Sequence, residues 1–113
     1  MKIRLEDVRK LVQEPYLSRG KEYFLDGLVK LMSVQSNAVK ARIAGTRVYT
    51  VSLTLKSTTI GGGCSCPAFT DFGPCKHMAA TCFAVLNGSY KSANEDASYR
   101  FAEHENLEKY LRI

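Results

Sequence analysis

Apolar side chains change their spacing twice along this chain, and each change marks a new kind of element. Leu5, Val8, Leu11 and Val12 recur with a helical period until Pro15 interrupts it, which predicts a short first helix near residues 5 to 13. Tyr16, Gly20, Tyr23, Phe24 and Gly27 follow in steps of four, three, one and three. That spacing puts the aromatics on one face of a second helix, which begins near Pro15 and stops at Gly27, so the helices fall within residues 5–26. From Leu28 the period falls to two. Val39, Ala41 and Ile43 alternate with Lys40 and Arg42, and Tyr49, Val51, Leu53 and Leu55 alternate with Thr50, Ser52 and Thr54. With turn-type pairs at Ser36-Asn37 and Gly45-Thr46, residues 28–55 predict an antiparallel three-stranded meander. The facing of its first strand stays open, because Lys30 interrupts Leu28, Met32 and Val34.

Gly61-Gly62-Gly63 reads as a sharp turn ahead of the first cysteine. Helical spacing then returns with Met78, Ala79, Cys82, Phe83, Val85 and Leu86, and Asn87-Gly88 closes a helix over residues 75–87. Residues 89–113 read as a polar linker followed by a short C-terminal helix around Leu107, Tyr110 and Leu111. The expected fold is α+β: N-terminal helices, a small three-stranded meander and a C-terminal helix that the cysteine segment leads into. Residues 1–88 would form one domain, with residues 89–113 as its tail.

Composition narrows the class. The chain has 113 residues, 45% hydrophobic and 24% charged, which is ordinary for a small globular domain and unlike a disordered one. The 48–55 stretch is broken by Thr and Ser and is far shorter than the ~20 apolar residues that cross a bilayer. The N-terminus mixes charges of both signs where a secretory signal needs an apolar run. A cytoplasmic protein with reduced thiols is expected, and no membrane partner. The net charge of +5 is uneven: residues 1–63 hold 11 basic and 5 acidic side chains, so the surplus lies in the first half.

The chemistry is concentrated in four residues. Cys64 and Cys66, eight intervening residues, then Cys75 and His77 supply three thiols and one imidazole, the donor set of a closed tetrahedral structural Zn2+ site. In an extended segment side chains at i and i+2 point the same way, so Cys64 and Cys66 converge while Ser65 points away. Pro67 biases Cys66 towards that conformation. A two-residue step within a helix rotates by about 200°, so Cys75 must stand at or before a helix start, with His77 in the first turn. There the exposed amides of the helix favour a thiolate. Lys76 is placed to offset the negative charge of three thiolates around a divalent ion. Sulfur and nitrogen donors favour zinc over magnesium or calcium.

Other readings of these residues fare worse. Ordinary core thiols and a surface histidine leave the spacing unexplained. A Cys75 nucleophile with a His77 base would need two groups on one tight turn to align. Cys82 lies seven residues beyond Cys75, ~10 Å along a helix, and reads as a core thiol. His104, among Glu103, Glu105 and Asn106, reads as a solvated side chain. No GxxxxGK[ST] loop or carboxylate cluster is present, so no enzyme activity is expected. Lys40 and Arg42, with Lys30, Arg47 and Lys56 near them in sequence, are candidate phosphate contacts, although exposed basic rows are also common on sheets.

CSC, eight residues and CKH, preceded by a strand hairpin and followed by an Ala-rich helix, resemble the SWIM zinc finger family. The resemblance spans about residues 47–88, with Tyr49-x-Val51-x-Leu53 as the incoming strand, Cys66-Pro67, and Ala80 three residues after the histidine. Residues 19–29 (RGKEYFLDGLV) resemble the helix that precedes this finger in small stand-alone prokaryotic members. The resemblance implies a DNA-binding or protein-interaction module. Members occur in transposases, chromatin-remodelling ATPases, ubiquitin ligases and small proteins that accompany recombinase paralogues. Two functions are therefore expected: a DNA-binding finger within a recombination or repair assembly, or an adaptor that docks on a partner such as a recombinase paralogue or an ATPase.

Overall fold

Alternation from residue 28 onward builds a sheet most of whose apolar side chains fall on one face, with Met32 and Val48 left exposed, and the helical stripes before and after it cover that face. The computed structural model describes residues 1–88 of the chain. Its elements are α1 (Leu5–Leu11), α2 (Tyr16–Leu25), β1 (Val29–Val34), β2 (Ala38–Ala44), β3 (Val48–Lys56), β4 (Thr59–Cys64), α3 (Pro67–Phe72) and α4 (Lys76–Leu86). The expected linker and C-terminal helix lie outside the described residues.

The α+β class stands, but the sheet has four antiparallel strands in the order β1-β2-β3-β4 rather than three. The fourth strand holds the three glycines that read as a turn. They pair with β3, Gly61 with Thr54, Gly62 with Leu53 and Gly63 with Ser52. Glycine carries no side chain to alternate and is poor in strands, so the pattern that reveals a strand is missing there. Gly62 explains why glycine is needed: its φ is +124°, and a Cβ would stand 1.9 Å from the carbonyl oxygen of Ser52. A side chain at that position would prise β4 from β3.

The open facing of β1 is settled by a bulge. Leu31 pairs with Ala41 and Ser33 with Lys40, so Met32 is an extra residue between them. The bulge lets Val29, Leu31 and Val34 all pack towards the core while Lys30, Met32 and Ser33 stay exposed. Strict alternation cannot produce that set, which is why the sequence pattern is ambiguous there.

Val39, Ala41, Ile43, Val51, Leu53 and Ile60 form the inner sheet face, all buried. Helix α4 lies against it and is buried from His77 through Val85. Helices α1 and α2 pack on α4, with Val8, Val12 and Phe24 completing the core. The α2–α4 approach is close because Gly20 faces Ala79. A Cβ on Gly20 would lie 2.5 Å from the Ala79 Cβ and 2.7 Å from the Lys76 carbonyl oxygen. That crossing sets the position of the first turn of α4. Among the described residues no helix is long and apolar enough to cross a membrane.

Candidate metal centre

Three chain turns deliver the four donors. Cys64 is the last residue of β4 and pairs with Val51. Ser65 continues the ladder: its N–H donates to the Thr50 carbonyl at 3.0 Å and its Oγ accepts from the Thr50 N–H at 2.9 Å. Ser65 is thereby held outward, and Cys66 turns inward. Cys66 is the N-cap of α3, where Pro67 opens the helix and the Cys66 Sγ accepts from the Phe69 N–H at 3.4 Å. Cys75 is the N-cap of α4, in an extended conformation, and His77 stands in the first turn. Both helix starts therefore present amides towards a sulfur, which favours the thiolate.

The donor atoms of Cys64, Cys66, Cys75 and His77 all lie within 4.8 Å of one another. His77 Nδ1 is 3.7 Å from the Cys64 Sγ and 3.7 Å from the Cys75 Sγ. With Zn–N about 2.05 Å and Zn–S about 2.3 Å, the N···S edge of a tetrahedron is about 3.6 Å. Both N···S separations already match that edge, and the widest donor separation, up to 4.8 Å, closes towards the S···S edge of about 3.8 Å when the four donors meet one zinc ion. Cys66, Cys75 and His77 are buried and Cys64 half-buried, so the donors face one another rather than solvent.

The thiols already share charge unequally. Hydrogen bonding from Cys64 pulls the Cys75 thiol down to about 4, with His77 and the Met78 N–H acting in the same direction. Cys64 is raised in return. The thiolate is the ligating form, so Cys75 is prepared for a cation. Cys82 is fully buried and lies outside this group; burial alone pushes its thiol up to about 12.

Two aromatic rings enclose the imidazole. Tyr23 meets His77 edge-on, with centroids 5.4 Å apart at 76°, and Tyr49 lies over it at 4.8 Å and 35°. Lys76 places its Nζ 5.1 Å from the Tyr23 ring centroid, so the cation between the two ligands is held close to the centre. Sequence spacing marks Tyr23 and Tyr49 only as inward-facing positions of a helix and a strand. Their meeting at His77 depends on the α2–α4 crossing and the β3 register, which no local pattern encodes. Helix α3 had only Pro67 at its first position as a start signal, since its N-cap is Cys66 rather than Ser, Thr, Asp or Asn, and it is only six residues long.

The basic candidates separate into a face and two ends. Lys30 pairs directly with Arg42, and Lys40 sits one row along, opposite Ser33 and Ser52. All three are on the exposed side of the sheet. Arg47 is in the β2–β3 turn and Lys56 ends β3, nine residues apart, so about 30 Å of strand separates them. They mark the two ends of the face and do not form one cluster.

Four protein donors around a closed, largely buried point define a structural metal-binding module, with no coordination position offered to a substrate. Residues 49–86 match the SWIM zinc finger family, and that segment is a SWIM zinc finger, a zinc-binding module. No curated protein and no solved structure matches the chain.

Proposed function

We propose that this chain is a non-catalytic nucleic-acid-binding module that holds DNA against the exposed face of its sheet. The directly opposed pair Lys30 and Arg42 carries the reading. Like charges opposite one another destabilise an antiparallel ladder, and the four strands contain no Asp or Glu to relieve them. Residues 27–70 include Lys30, Lys40, Arg42, Arg47 and Lys56 and not one carboxylate. Among the described residues none of the five forms an ion pair. A polyanion laid across the face offsets this repulsion and releases its own counterions. The zinc centre fixes β4 against α4 and so keeps the face in shape.

Titration of fluorescein-labelled DNA across salt tests this. Three to five phosphate contacts give a log–log salt slope of about −2 to −4.5. Lys40→Glu combined with Arg42→Glu should abolish low-salt binding while leaving the zinc content unchanged. Absence of binding by the parent chain at low salt would end the proposal. Docking on a protein is the second reading, favoured by the exposed apolar side chains Met32, Val48 and Phe72. Pull-down with and without residues 98–113 tests it, and no enrichment in either form would count against it.

A further inference from the structure

We infer that Phe69 and Phe72, on the short helix between the two ligand pairs, form a base-stacking platform beside the basic face, and that the occupant is a single-stranded nucleic acid. This rests on the nucleic-acid reading above and narrows it to one form of the polymer.

Gly63 pairs with Ser52, and Ser52 pairs with Lys40, so these three share one row on the exposed side of the sheet. The Phe69 ring lies on Gly63: its Cε2 and Cζ are each 3.2 Å from where a Cβ on that glycine would stand. The missing side chain lets an aromatic ring settle against the outer sheet surface, in line with Lys40. Phe72 follows three residues later, one helical turn on, where side chains are neighbours. It is 77% exposed and contributes almost nothing to the core. Asp71, the sole carboxylate in residues 27–88, is two residues from Phe69 and so about 200° round the helix from it. The platform is apolar and aromatic, and Asp71 points away from Phe69 while standing about 100° round the helix from Phe72.

Dimensions decide between single and double strands. Four strands at about 4.8 Å span about 14 Å between the outer backbones before side chains are added. The DNA major groove is about 12 Å wide and admits a helix or a two-stranded ribbon. This sheet therefore lies outside the groove, and duplex bases, already stacked on their neighbours, offer no free ring face to Phe69 and Phe72. In a single strand the bases are free to stack on aromatic rings while basic residues follow the backbone. Row spacing places Gly63 about 10 Å from Lys40, so a base on Phe69 leaves its phosphates towards Lys40, Arg42 and Lys30. Thr50, Ser52 and Thr54 line the path with hydroxyl groups.

The test compares a labelled fifteen-nucleotide oligothymidine with a fifteen-base-pair duplex at equal low salt, using the full chain loaded with zinc. Tighter binding of the oligothymidine is expected. Phe72→Ala should weaken it about tenfold with an unchanged salt slope, since stacking is not electrostatic. Phe69→Leu, which keeps an apolar group on Gly63, should weaken it similarly without lowering the melting temperature greatly. The chain contains no Trp, so Phe72→Trp supplies a unique fluorophore whose emission should be quenched at saturation. Failure to bind either probe would overturn the nucleic-acid reading itself. Equal binding of duplex and single strand, with Phe72→Ala neutral and the Phe72→Trp emission unchanged, would overturn the platform alone. A Phe72→Ala variant that keeps its oligothymidine affinity but loses capture of a protein would assign the ring to protein docking, and would also overturn it.

Discussion

The ring of Tyr49 lies over the imidazole of His77 at a centroid distance of 4.8 Å, so a strand residue ahead of the cysteines orients the last donor of the metal centre. An aromatic pair contributes roughly 0.5–1.5 kcal/mol beyond its buried area. Tyr49→Ala should therefore lower zinc affinity about two- to twelvefold, read by competition with a chromophoric chelator. Tyr49→Phe keeps the ring and should match the parent. A Tyr49→Phe variant as weak as Tyr49→Ala would show that the hydroxyl, not the ring, is what matters.

Zinc is expected at one ion per chain, and its removal should unfold the module. Structural zinc supplies about 10 kcal/mol or more to small fingers, comparable with the whole stability of a small domain at about 5–15 kcal/mol. Excess EDTA should abolish the cooperative melt seen by circular dichroism, and added zinc should restore it. Cys75→Ser and His77→Ala should each behave like the stripped protein. Either variant melting like the parent would remove those residues from the ligand set.

Gly20→Ala inserts a methyl group where Ala79 and the Lys76 carbonyl already stand, at 2.5 and 2.7 Å. Helix propensity favours the change by about 1 kcal/mol. Overpacking a close helix crossing costs about 1–3 kcal/mol and should prevail. Because Lys76 and His77 are adjacent on α4, the displaced helix should also weaken zinc binding. Denaturant melts and chelator competition on the same variant should fall together; a more stable variant would show that the helices separate without penalty.

Cys82 gives a pH signature of its own. Its folded thiol is pushed up to about 12 by burial, whereas an unfolded cysteine titrates near 8.5. A raised folded value means that the unfolded chain loses its proton first as pH rises. This contribution to stability is full below about pH 8.5 and is lost between there and about 12. Denaturation midpoints should fall across that range, less steeply in Cys82→Ala. Iodoacetamide should leave Cys82 unmodified in the zinc-loaded protein at pH 8, and rapid alkylation there would contradict its burial.

Much of this arrangement was legible in the sequence because it rests on local rules. The i, i+2 geometry of Cys64 and Cys66 and the helix-entry position of Cys75 follow from backbone periodicity, and the structure has both. Val39, Ala41, Ile43, Val51 and Leu53 declared their face by alternation. What escaped depends on residues without a pattern or on distant contacts. Gly61, Gly62 and Gly63 have no side chains with which to advertise a strand, and the extra Met32 breaks the period of β1. Tyr23 reaches His77 only because Gly20 lets two helices approach. Phe69 finds its place on Gly63 only once β4 has paired with β3.

The bulge at Met32 also bears on how this protein keeps company with itself. Among the described residues, strand β1 is an outer rim of the sheet, with backbone groups on one side that have no ladder partner. A flat, regular rim invites a second molecule to add its own strand, the first step towards fibrous assembly. Here the extra residue and the charge of Lys30 make that rim a poor template for accretion, so concentrated solutions of the folded protein should resist lateral growth.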